Sequence, residues 1–224
     1  MQFVRTDVSN GIQALTRRLT EALGDGKRTL WLVSGGSNIP ITALAMANLP
    51  KKLTKSLTVL SVDERYGSLG HAESNLHKLI NTCRDFKHAK LVPILTNEDL
   101  HTTLKRYGEV VRREFQANTA VIAQLGIGAD GHIAGILPHS PAADSNLAEL
   151  AVGYKWSDYV RLTLTFSALE HAQTTFVFAY GQDKQPALKQ LRDEILPFDA
   201  QPAQFLKHIP DVYIYNDQIE QGMR

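Results

Sequence analysis

An α/β fold, with a largely parallel sheet covered by helices on both faces, is predicted by two observations. Short apolar runs alternate along the chain with stretches of three- and four-residue apolar spacing, and no repeat, low-complexity tract or linker interrupts that alternation. The first helix is read over Gly11 to Leu23, where Ile12, Leu15, Leu19 and Leu23 share one face before Gly24-Asp25-Gly26 ends it. Thr29 to Val33 is a strand that breaks into Ser34-Gly35-Gly36-Ser37, and an Ala- and Leu-rich helix follows to Leu49. Leu57 to Val62 is a second buried strand ending at Asp63-Glu64-Arg65. A helix over Asn75 to Thr82 and a short strand over Leu91 to Ile94 come next. Asp99 to Ala117 has the spacing of a longer amphipathic helix and runs into the strand Thr119 to Leu125 and a glycine-rich loop. Further on, Arg161 to Phe166, Thr175 to Tyr180 and Val212 to Tyr215 read as strands and Gln185 to Leu191 as a helix. Pro138 to Tyr159 reads as a surface excursion or small lobe, and one domain over residues 1–224 is the simplest organisation.

The chain is 43% hydrophobic and 21% charged, and its 224 residues can bury a sizeable core without a disulfide or metal staple. Lys+Arg number 24 against 23 Asp+Glu, a formal net charge of +1 that argues against the strongly basic surface of a nucleic-acid-backbone binder. Cys83 is the single cysteine, so neither an internal disulfide nor a cysteine-rich zinc site can form, and a reducing, cytoplasmic compartment is expected. Met1 to Asp7 lacks the charged-then-apolar pattern of a leader, and no apolar run approaches the roughly 20 residues of a membrane helix.

In open α/β sheets ligands bind beyond the carboxyl ends of the strands, so chemistry is sought on the loops that follow them. Ser34-Gly35-Gly36-Ser37 joins a strand to a helix. Its glycines let the backbone approach a ligand, and its N–H groups with the helix dipole favour an anion such as phosphate; the same residues also suit a tight turn whose serines cap the helix. The turn is neither a Walker A sequence nor a dinucleotide fingerprint, so it implies neither ATP nor NAD. Asp63-Glu64-Arg65 offers an arginine to clamp phosphate or polarise a carbonyl, and a carboxylate to orient it or move a proton. Its plainer reading is a solvated strand end with a local ion pair.

The third loop, Leu125 to Ala134, sets His132 directly after Gly131 and two residues beyond Asp130. Histidine ordinarily titrates near neutrality, and glycine frees the backbone beside it, so this setting points to acid–base chemistry. None of the other seven of the eight histidines has it. His71, His77, His88, His101, His171 and His208 lie in polar or helical stretches and read as surface residues, and His139, beside Pro138, as a loop residue at the site's edge. No His-x-x-x-His or Cys-x-x-Cys spacing asks for a metal, and no cofactor is expected. Without a Gly-x-Ser-x-Gly elbow, water is a better nucleophile than Ser34 or Ser37.

In this order and spacing, the three loops resemble the 6-phosphogluconolactonase family and, more distantly, glucosamine-6-phosphate deaminase. Gly126-Ile127-Gly128-Ala129-Asp130-Gly131-His132-Ile133-Ala134 carries most of the likeness. Asp63-Glu64-Arg65 with His71-Ala72-Glu73-Ser74-Asn75, the Ser34 to Ser37 turn, Arg161 to Thr165 and Gly181-Gln182-Asp183-Lys184 carry the rest, so it reaches from Thr29 to Leu191. The resemblance implies a Rossmann-like three-layer fold of the sugar-phosphate isomerase/deaminase type. Deaminases typically have Asp-Glu-Tyr in place of Asp63-Glu64-Arg65, and a glutamate shortly after the His-x-Ala where this chain runs Gly135-Ile136-Leu137-Pro138. Both differences favour the lactonase. Two departures from the lactonase pattern touch the substrate pocket: Asn38-Ile39-Pro40 replaces a Thr-Pro pair, and Ala134-Gly135-Ile136-Leu137-Pro138 replaces Ala-Ser-Leu-Phe-Pro.

What the resemblance implies is hydrolysis of 6-phosphoglucono-δ-lactone to 6-phosphogluconate, a step of the oxidative pentose phosphate pathway. The partner is then a small phosphorylated sugar lactone, with no nucleic acid and no membrane. Ser34, Gly35, Gly36, Ser37, Gly131, Arg161 and Lys184 are implied to hold the substrate and its phosphate, and Arg65 either the phosphate or the lactone; Arg161 and Lys184 equally suit plain surface charges. His132 is implied to take a proton from attacking water, with Asp130 and Asp63 equal candidates for supporting it. The alternatives are a glucosamine-6-phosphate deaminase- or isomerase-like enzyme and a non-catalytic sugar-phosphate-binding module. Fewer than about 30 residues precede the first predicted strand, too few for the helix-turn-helix domain that sensors of that kind carry.

Overall fold

The computed structural model describes residues 1–157 and 159–220. A seven-stranded sheet is built from β1 (Gln2–Arg5), β2 (Thr29–Val33), β3 (Leu57–Ser61), β5 (Lys90–Val92), β6 (Ala120–Gly126), β9 (Thr174–Ala179) and β10 (Val212–Asn216), in the order β1-β10-β9-β6-β2-β3-β5. Every pairing in it is parallel. A second sheet of three antiparallel strands holds β4 (Asp63–Arg65), β8 (Tyr159–Leu164) and β7 (Ala151–Trp156), in the order β4-β8-β7.

β2 and β3 are buried at every position. Successive side chains point to opposite faces of a strand, so each strand feeds two cores and reads as an unbroken apolar run. Leu30 and Leu32 pack with Leu60, Tyr107, Val111 and Leu188 on one side, and Trp31 and Val33 with Leu15, Leu19, Met46 and Leu79 on the other. The second core is closed by α1 (Val8–Gly24), α2 (Ile39–Asn48) and α3 (Asn75–Thr82), and the first by α4 (Leu100–Ala117) and α6 (Gln185–Asp193). The expected α/β architecture, layered helix, sheet, helix, is therefore present. Local chemistry sets the helix starts: the Asp99 side chain accepts the Thr102 N–H at 3.0 Å ahead of α4.

Two expectations need correction. The first strand is β1, at the sheet edge beside β10, rather than Thr29 to Val33; only Phe3 of its four residues is buried, so it gives no apolar run. The stretch from Pro138 to Tyr159, of which position 158 lies outside the described residues, contains β7. β7 pairs with β8, and β8 in turn with β4, so the strand expected over Arg161 to Phe166 lies in the small antiparallel sheet and ends where the short helix α5 (Phe166–Leu169) begins.

From β2 the chain moves outward through β3 and β5, then returns to β6 on the other side of β2. That reversal between β2 and β6 is the switch point at which open α/β sheets leave a crevice. Val62 alone separates β3 from β4. Its N–H donates to the Val33 carbonyl at 2.9 Å, and its own carbonyl accepts the Leu164 N–H at 2.8 Å, so one residue is stitched into both sheets.

Candidate active site

The turn after β2 is fixed from beneath. Ser34 N–H donates to the Gln124 carbonyl at 3.1 Å. Buried Asn38 accepts from Gln124 Nε2 at its side-chain oxygen (3.2 Å) and from Thr42 Oγ1 at its carbonyl (3.0 Å). Residues Gly36–Asn38 form a 3-10 turn leading into α2, so the segment offers the N–H groups and positive dipole end of a helix start.

On β4 the pleat turns Asp63 and Arg65 to one side and Glu64 to the other. Glu64 is 1% exposed. Its carboxylate accepts from Asn75 N–H (2.7 Å), Arg65 N–H (2.8 Å), Ser74 Oγ (2.9 Å) and Leu76 N–H (3.1 Å), tying the strand to the start of α3. Burial pushes the Glu64 carboxyl above its ordinary range, and these hydrogen bonds pull against that. The charged triplet is therefore not simply a solvated strand end. The Arg65 guanidinium lies 5.7 Å from the Tyr159 ring centroid and 3.5 Å from Glu73. Arg65 also stands directly opposite Arg161 in the β4–β8 pair. Like charges at facing positions destabilise a sheet, and an anion between them reverses the sign of that contact.

After β6, a bridge between Ile127 and Ile133 and a 2.9 Å bond from Gly128 N–H to the His132 carbonyl close a tight loop. His132 Nδ1 lies 2.6 Å from Asp130 Oδ1, which also accepts the His132 N–H at 3.2 Å. A Cβ at Gly128 would fall 2.0 Å from Nδ1, so the pair forms only with glycine there. The hydrogen bond from His132 holds the Asp130 carboxyl down at about 2, against the opposing effect of burial. An ionised carboxylate only accepts, so Nδ1 carries the proton and Nε2 of the neutral ring is left as an acceptor.

These loops enclose a cavity of about 260 Å³ lined by the Ser34 to Ser37 turn, Asp63, Arg65, His132, Arg161 and Lys184. Asp130 and Gly131 are not in its wall. Asp130 stands behind His132, and Gly131, at φ +81°, turns the loop while its carbonyl accepts the Ala203 N–H at 2.9 Å. Lys184 pairs with Asp183 at 3.1 Å. Asp63 is 7% exposed and lines the cavity. Asn38, Asn75, Ile127 and Ala134 also line the cavity; the resemblance covers all four and sets Asn38 and Ala134 at the substrate pocket, but none was given a role of its own. Four buried polar atoms on its residues lack partners: Ser34 Oγ, Asn75 Oδ1, Arg65 Nε and Arg161 Nε. Each unpaired buried group costs about 1–3 kcal/mol, so their gathering at one cavity marks a place where a ligand supplies the missing bonds.

Three histidines fall elsewhere than expected, one of them His77, which is half-buried on α3. His139 lines a separate depression of about 680 Å³ with Asp199 and Phe198, away from His132. His71 is half-buried, its Nε2 2.9 Å from the Arg65 carbonyl.

The sequence from residue 7 to 213 matches the family of glucosamine-6-phosphate isomerases/6-phosphogluconolactonase. The chain belongs to this family. A 6-phosphogluconolactonase of Synechocystis sp. is 30% identical over 211 residues, covering 88% of this chain and 84% of that one. A glucosamine-6-phosphate deaminase of Lactobacillus johnsonii is 24% identical over 218 residues, covering 90% and 87%. In fold, the 6-phosphogluconolactonase of Trypanosoma brucei superposes with a TM-score of 0.78 at 18% identity, over 97% of this chain and 96% of that one. In this family member, no three His, Cys, Asp or Glu side chains gather as a metal site among the described residues, and no helix there is long and apolar enough to cross a membrane.

Proposed function

We propose that the chain hydrolyses 6-phosphoglucono-δ-lactone to 6-phosphogluconate. One observation carries the reading: a single small cavity joins a histidine held by a carboxylate to two facing arginines whose Nε atoms lack partners. The substrate's phosphate sits between Arg65 and Arg161, with Lys184 and the N–H groups of the Ser34 to Ser37 turn completing its charge balance. Anchored there, the lactone presents its carbonyl beside His132. Nε2 takes a proton from water as the oxygen attacks the carbonyl carbon, and the imidazolium returns that proton to the ring oxygen as the C–O bond breaks. Asp130, bonded to Nδ1, fixes the ring orientation and stabilises the imidazolium. Asp63, in the cavity wall, offers a second carboxylate to the substrate.

A δ-lactone opens in water unaided, so the barrier to be lowered is modest. A positioned base contributes about 10²–10⁴-fold, and orientation through the remote phosphate adds several kcal/mol. The deaminase alternative is less well supported: Arg65 stands where that pattern has tyrosine, and Ile136 and Leu137, after the His-x-Ala, are buried in the apolar core.

The test is a lactone-hydrolysis assay corrected for spontaneous opening, run beside an assay for ammonia release from glucosamine 6-phosphate. Hydrolysis above background without ammonia is expected. Ammonia release without lactone turnover makes the chain a deaminase, and sugar-phosphate binding with neither activity makes it a binding module.

A further inference from the structure

We infer that Asn75 is a specificity-determining residue whose side-chain carbonyl accepts a hydrogen bond from one ring hydroxyl of the sugar lactone. The inference rests on the proposed lactonase reading and extends it to a residue that neither the motif chemistry nor the mechanism uses.

Asn75 is 3% exposed and stands in the cavity wall. Its N–H is taken by Glu64, and its Nδ2 donates to the Asp63 carbonyl at 3.1 Å. That second bond settles which way the amide points, because the flipped amide would set one carbonyl oxygen against another. Oδ1 is therefore fixed on the side away from Asp63, where it has no partner and is closed to bulk water. Gly35 lies against the same amide, and a Cβ there would fall 2.2 Å from Oδ1, so the amide is clamped between the Gly35 turn and β4.

The missing partner must be a hydrogen-bond donor. A phosphate dianion has none to give, whereas a sugar hydroxyl does. The cavity's unpaired groups thus divide by chemistry. Arg65 Nε and Arg161 Nε require an acceptor, while Asn75 Oδ1 requires a donor. A ligand with an anionic group at one end and hydroxyls along its ring matches both sets, and Asn75 reads one of those hydroxyls. Loss of one neutral partner from a buried pair changes affinity by about tenfold.

The experiment is a cycle between protein and substrate. kcat/KM is measured for 6-phosphoglucono-δ-lactone and its 2-, 3- and 4-deoxy forms, on the natural chain and on Asn75→Ala. One deoxy lactone is expected to lose about tenfold on the natural chain and nothing further on Asn75→Ala, which itself loses about tenfold on the parent lactone. Equal losses on both proteins for all three deoxy lactones overturn the inference and leave the lactonase reading intact; so do three deoxy lactones that all stay within about twofold of the parent on the natural chain, with no variant needed. If Asn75→Ala does not fold, Asn75→Ser carries the same cycle. If the natural chain turns over no lactone, the functional reading fails, and calorimetric binding of glucose 6-phosphate and its deoxy analogues to the same proteins decides the hydrogen bond on its own.

Discussion

The two ends of the cavity are built on opposite plans. At the histidine end the polar groups are satisfied within the chain: Asp130 accepts both the ring and the backbone N–H of His132, and Gly128 makes room for the pair. At the arginine end they are not. Arg65 and Arg161 face each other across two strands with unpaired Nε atoms, and beside them Asn75 Oδ1 and Ser34 Oγ also lack partners. One end has its geometry set before any ligand arrives, and the other becomes favourable only with a ligand in place. Groups that act on a bond need the first kind of order, and groups that recognise charge tolerate the second.

The sharpest way to break this comparison is His132→Ala. In steady-state kinetics it is expected to lower kcat for the phosphorylated lactone by about 10²–10⁴-fold with KM nearly unchanged. Near-normal kcat would remove the histidine from the reacting end.

Arg161→Gln should do the converse, raising KM about 10–100-fold for the phosphorylated lactone, with little effect on kcat or on the unphosphorylated lactone. Because it also removes a like-charge contact, the ligand-free variant should melt no lower than the natural chain. Equal losses on both lactones would sink the phosphate role.

The smallest effect concerns acid stability. The folded-state pKa of Asp130, about 2, lies below its ordinary value of about 4, so the pair stabilises the fold at higher pH and that contribution fades as pH falls from about 4 through 2. Asp130 is about half exposed, which keeps the effect within the range of about 1 kcal/mol typical of solvated pairs. Denaturant unfolding of the natural chain and Asp130→Asn should differ above pH 4 and converge near pH 2. A gap that stays constant across that window would mean that Asp130 titrates normally.

Much of this was legible in the sequence. Strands buried on both faces announce themselves as apolar runs, so β2 matched residue for residue, and α3 began and ended at Asn75 and Thr82 as its spacing suggested. β1 and β7 were missed for the opposite reason: the edge strand buries one residue in four, and β7 is mostly half-exposed, so neither carries a pattern. At the site, His132, Asp63, Arg65 and the glycine turn drew notice because their types are chemically marked. Which carboxylate meets the histidine was not legible, because Asp63 and Asp130 lie on different loops and only the closed turn brings Asp130 to Nδ1. The roles of Glu64 and Asn75 were not legible, since a buried anchor and an unpaired amide look, as letters, like a surface charge and a helix start.

Val62, the single residue between the two sheets, sets a length. Because it belongs to the ladders of both, the strand that bears Arg65 cannot slide relative to β2 and β6, whose loops carry the glycine turn and His132. Under the proposed reading the cavity then works as a ruler. A lactone held by its phosphate at the arginines is then presented to His132 at a separation that the two sheets hold constant. Two sheets joined at one point thus keep the recognising and the reacting groups in one fixed relation.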